Sequence, residues 1–166
     1  MRLTRPHVVA MTIGVLVLGA STPPIALASP GAGLMVTTLA TANLNQTVHA
    51  DADRIRLRTK TPTVVRVQNI VFTAGARTGW HHHPGVVIVA VQSGVVTVWD
   101  ADCNPTNYGA GQSAGAAFTE SGDEIIEVTS AGGASVYATY IVPPVDPTVF
   151  RIEADVPSCT LEGADD

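Results

Sequence analysis

Basic residues are few in this 166-residue chain: nine Lys and Arg stand against fourteen Asp and Glu, a formal net charge of −5. Nucleic acids and anionic membrane surfaces both demand basic surface, so neither is expected as a partner. Charged residues of either sign make up only 14% of the chain. With many Val, Ala, Gly and Thr and few long helix formers, that composition predicts an all-β domain. No long amphipathic helix and no repeat at solenoid spacing is legible. No serine is paired with the histidines by a recognisable pattern. A nucleophile-type hydrolase therefore has little support.

Cysteine is scarce too. There are two, Cys103 and Cys159, far apart and without a Cys-x-x-Cys spacing. In an exported chain such a pair reads as one disulfide, worth up to about 4 kcal/mol in the chain-entropy model. Export is the expectation from the amino terminus. Arg2 and Arg5 precede a short apolar run from Val8 to Ala20, and Ala26-Leu27-Ala28 fits a small-residue cleavage signal before Ser29. The run is too short to span a bilayer comfortably, so no stable membrane insertion is expected after cleavage. Losing Arg2 and Arg5 leaves seven basic against fourteen acidic residues, a net charge of −7. The mature chain is expected to be secreted or extracytoplasmic.

About 140 remaining residues suit one domain with a sizeable core. We divide the chain into a signal peptide (1–28), an N-terminal lead with edge strands (29–60), a barrel (61–145) and a C-terminal tail tied back by the disulfide (146–166). Leu34 to Asn43 reads as a strand, Asn43 to Arg54 as a loop and Arg56 to Lys60 as a short edge strand ended by Pro62. Thr63 to Thr73 is a strand, with Val65, Val67 and Val71 on one face and Arg66 and Gln68 on the other. His81 to Gln92 is bent at Pro84-Gly85, and Ser93-Gly94 reads as a two-residue hairpin returning through Val95 to Trp99. Asp100 to Ser113 reads as a loop. Ala116 to Thr119, Glu124 to Thr129 and Ser135 to Val142 are further strands, the last with Val136, Ala138, Tyr140 and Val142 on one face. Short strands with turn signals every ten or so residues mean a sandwich or a barrel.

Only five histidines occur, and three are consecutive: His81, His82 and His83. On an extended strand His81 and His83 share a face, about 7 Å apart along the chain, while His82 takes the other. Two imidazoles on one face can converge on one metal ion. His49 lies in polar surroundings and carries no assigned role.

The stretch from Gly75 to His83, with Trp80-His81-His82-His83-Pro84-Gly85 and the later Gly94, resembles the first motif of the cupin superfamily. It is similar in particular to small exported, type-2-like bacterial cupins. The resemblance runs from about Thr63 to Pro143 and implies a cupin-type double-stranded β-helix, a jelly-roll barrel. Two departures stand out. The motif's glutamate falls on Val87, and the histidine of the second motif falls on Ile125 or Ile126, with Ser130 near its asparagine. The three-histidine, one-glutamate site of the family is therefore not available.

What remains is a two-histidine site at His81 and His83, with Glu124 or Glu127 as the third ligand for one divalent ion (Fe, Mn, Zn or Ni). Trp80, Val87, Val89, Val91 and Tyr140 are the expected pocket residues. The resemblance suggests an oxygenase- or isomerase-like reaction on a small molecule. The alternative is a metal-free barrel that binds a small ligand and catalyses nothing. Pairing of two barrels as a homodimer is compatible with either.

Overall fold

The computed structural model describes residues 30–145 and 148–158. The expected signal peptide and Cys159 lie outside them. Among the described residues there are eleven strands and no helix. They are β1 (Ala32–Leu44), β2 (His49–Ala52), β3 (Ile55–Arg58), β4 (Thr63–Arg77), β5 (His81–His82) and β6 (Val86–Asp100). Then come β7 (Pro105–Gly109), β8 (Ala117–Ser121), β9 (Ile126–Ser130), β10 (Ala134–Val142) and β11 (Ile152–Glu153).

All pairings are antiparallel, and they close on themselves. β4 pairs with β10, β10 with β6, β6 with β9, and β9 returns to the end of β4 through Ala76 and Arg77. A closed ring of strands leaves no open edge within it. The chain is thus all-β, with its long strands wrapped into a closed antiparallel barrel. β1 extends one wall along the length of β4, and β2 and β3 form a separate hairpin.

Closure depends on β6 serving two sheets. Its first half pairs with β10 and β8, its second half with β7 and β9. The bend falls where Ser135 faces Ser93 but Val136 faces Val91, so Gln92 is an inserted residue. Such a bulge kinks a strand and increases its twist. Gly94 sits beside it at φ +75°, and a Cβ there would collide with the Gly133 carbonyl oxygen. The expected Ser93-Gly94 hairpin is therefore corrected. The same left-handed glycine that a hairpin needs here bends one continuous strand instead.

Two further expectations change. The segment from Asp100 to Ser113 contains β7, and the polar segment from Asn43 to Arg54 contains β2, on which His49 is exposed. In β4 the inward face carries Arg66, Gln68, Ile70 and Phe72, which line the central cavity. The Val65, Val67 and Val71 face is only half-buried. On β10 the alternation holds as expected: Val136, Ala138, Tyr140 and Val142 are buried and Tyr137 is exposed. They pack with Val64, Phe72, Val87, Val89, Val96, Phe118 and Val128 in one core. β11 adds to β5, so residues after 147 form part of the wall around the histidines.

Candidate metal centre

His81 and His83 both turn inward and are 3% exposed, their rings edge to face with centroids 4.9 Å apart. His82 points the other way, half-buried, with Nδ1 4.0 Å from the Asp123 carboxylate. The parity of a short extended segment thus separates the three rings as alternation requires. His81 lies on β5 opposite Ile126 of β9, one of the two positions where the family resemblance puts its missing histidine.

Two backbone carbonyls fix the histidine rings. His81 Nδ1 donates to the Gly79 oxygen at 2.8 Å, and His83 Nδ1 donates to the Phe150 oxygen at 2.6 Å. A carbonyl can only accept, so each ring carries a proton on Nδ1, which leaves Nε2 as the candidate ligand atom. Metal-ligating histidines are commonly oriented in this way. Burial, followed by the charge of Arg151, pushes the His81 pKa down to about 3. That ring is neutral at ordinary pH and ready to ligate without losing a proton.

The carboxylate beside them belongs to Glu120. It is buried on β8, and its Oε2 lies 2.8 Å from His83 Nε2. Close as they are, the two atoms are not aligned as donor and acceptor, and His83 Nε2 has no hydrogen-bond partner. A buried ring nitrogen left in that state carries a desolvation cost of about 1–3 kcal/mol. A cation held jointly by the two atoms would remove that cost. One ligand atom from each of His81, His83 and Glu120 lies within 4.8 Å of the others, and all three residues are buried.

The register explains why Glu120 is there. Val87, onto which the family's glutamate falls, is the direct cross-strand partner of Glu120. Directly opposed side chains project from the same face of a sheet, about 5 Å apart. The carboxylate thus enters the barrel from the neighbouring strand. The expected third ligands are corrected accordingly. Glu124 is exposed, in a turn, and lines a different cleft. Glu127 is buried, but on β9 its carboxylate meets the Gly79 amide, with Arg77 and Arg151 nearby.

A cavity of about 270 Å³ opens onto this group. Of the five residues read as pocket residues, Val89 and Tyr140 line it. Trp80 and Val87 do not: both are sealed in the wall, at 2% and 0% exposure. Val91 packs against the core without lining the cavity. The residues that sequence reading missed are Glu120, Arg66, Phe150 and Arg151. Phe118 and Glu120 share the buried face of β8, while Ala117, Thr119 and Ser121 are exposed. Tyr140 stands between His83 and Phe150, with ring centroids 5.5 and 5.9 Å away. Burial first, then the Glu120 charge, pushes its hydroxyl pKa up to about 12, so it is a neutral hydrogen-bond donor.

Fold and site together define a class: a closed all-β barrel with a buried group of two histidines and one carboxylate fit for a divalent ion. No family model matches the chain, and no curated protein matches it. Among solved structures it is similar to a conserved protein of unknown function from Streptococcus pyogenes. The identity is 13%, with 63% of this chain and 75% of that one covered and a TM-score of 0.42. It is also similar to salicylate 1,2-dioxygenase from Pseudaminobacter salicylatoxidans. There the identity is 15%, with 45% of this chain and 20% of that one covered and a TM-score of 0.39. The chain spans about a fifth of that dioxygenase.

Proposed function

We propose that the protein binds one divalent metal ion through His81 Nε2, His83 Nε2 and the Glu120 carboxylate, and that it acts on a small molecule in the adjoining cavity. The carrying observation is the unpartnered His83 Nε2 beside Glu120 in a buried group. Two imidazoles and one carboxylate suit Fe, Mn, Zn or Ni and leave coordination positions open. A bound ion there would supply a Lewis acid to the oxygens of a small molecule. The protein's own part is to hold both rings by their Nδ1 protons and to keep water from the group. Tyr140 presents a neutral hydroxyl beside it.

The metal-free reading draws on the same cavity, whose walls are largely apolar. Metal analysis of tag-free protein separates the two. The metal reading expects about one equivalent of divalent ion, lost in the His81→Ala/His83→Ala double variant and in Glu120→Ala but kept in Glu124→Ala. Protein that holds no ion, and whose melting point ignores chelation, belongs to the second reading. We further propose export after cleavage at Ala28 and a Cys103–Cys159 disulfide, both testable by the mass of the secreted, unreduced protein.

A further inference from the structure

Among the described residues, the cavity has one arginine without a counterion. Arg66 lines it from β4, and among the described residues it forms no ion pair. Its Nε donates to Thr41 Oγ1 at 3.2 Å, and its guanidinium carbon lies 3.5 Å from the centre of the Phe150 ring. Stacking holds the fork in place while leaving its terminal N–H groups free for a ligand. Arg151, the other arginine on the cavity, has a counterion: one terminal nitrogen bonds the Thr78 oxygen at 2.8 Å and Glu153 at 2.7 Å, while its buried Nε has no hydrogen-bond partner.

Arg66 also stands at a defined place relative to the metal group. It is the cross-strand partner of Tyr140, whose ring packs against His83. Phe150, beneath the guanidinium, gives its carbonyl to His83. One layer of aromatic rings thus separates the fork from the histidines. The walls beside that layer are apolar: Ile70, Val89, Phe118 and Val136.

We propose that the ligand is a small monocarboxylate with an apolar body, its carboxylate paired with Arg66 and its other end directed at the metal group. One unpaired guanidinium matches one carboxylate, and bidentate pairing of the two is the strong geometry. A cavity of about 270 Å³ limits the body to a ring or short chain. The inference rests on the proposed metal site only for what the far end of the ligand meets.

The test is calorimetric titration of wild-type, Arg66→Gln and Arg66→Lys proteins with benzoate, hexanoate, the neutral benzamide and phenyl phosphate. Metal content is measured on the same samples. Benzoate or hexanoate should bind about tenfold or more tighter than benzamide and phenyl phosphate, the scale of a charge-assisted pair. Arg66→Gln should erase the preference, and Arg66→Lys should keep part of it. Equal binding of benzoate and benzamide overturns the proposal, as does preference for the phosphate. So does an unchanged preference in Arg66→Gln, or no carboxylate binding at about millimolar concentration. Wild-type protein that holds no ion yet prefers carboxylates supports this inference while sinking the metal site. Protein that holds an ion but shows no preference does the reverse.

Discussion

Glu127 carries a carboxyl group into a place with too few donors for it. It is 2% exposed, and its Oε1 has no hydrogen-bond partner. Burial raises its pKa above the ordinary 4.5, against the opposing pull of Arg77, the Gly79 amide and Arg151. The raised value fixes a sign. Above pH 4.5 the unfolded chain gives up this proton while the folded chain keeps it, so stability falls as pH rises through the folded pKa. Glu127→Gln keeps an acceptor for Gly79 and removes the titration. Its melting point should exceed that of wild type at pH 7.5, and the gap should shrink at pH 4.5. A gap that does not change with pH would show that the carboxyl is ionised at no cost. At this scale the histidine pair was legible, because strand parity needs only local sequence. The choice among Glu120, Glu124 and Glu127 was not. It depends on the register between β6 and β8, which sets Glu120 against Val87, and no local pattern encodes a register between strands.

At the level of the element, β6 shows what glycine does for the barrel. Fifteen residues run through two sheets, and the turn between them is made at Gln92 and Gly94 without breaking the strand. Gly94→Ala should cost about 1–3 kcal/mol, from the left-handed φ that a Cβ disfavours and from collision with the Gly133 backbone. Urea denaturation checks this. A loss well under 0.5 kcal/mol, on the order of an ordinary surface substitution, would mean that the bend does not depend on the glycine. The expected hairpin and the observed bend draw on one signal, a residue pair that tolerates positive φ. Only the pairing of both halves of β6 with other strands tells them apart. The short β2 and β7 escaped notice for a related reason. Their residues are mostly exposed, so no apolar alternation marks them.

At the scale of the whole molecule, the candidate ligands come from distant parts of the chain. His81 belongs to β5, Glu120 to β8, and His83 is anchored by Phe150, beyond β10. An ion bound by all three would cross-link segments that separate on unfolding, so binding should appear directly as stability. At a free concentration about 100 times its dissociation constant, the ion should stabilise the fold by about 2.7 kcal/mol. For a chain of this size that is a rise in melting point of roughly 5 to 15 °C. Addition of Zn2+ or Mn2+ to chelator-treated protein, followed by thermal unfolding, measures it, and renewed chelation should reverse it. The His81→Ala/His83→Ala variant should show no rise, and Glu120→Gln a smaller one, since the amide brings no charge to the ion. An equal rise in the double variant would place the ion elsewhere, on the exposed carboxylates of an acidic protein, and the buried Glu120–His83 contact would then serve the fold alone.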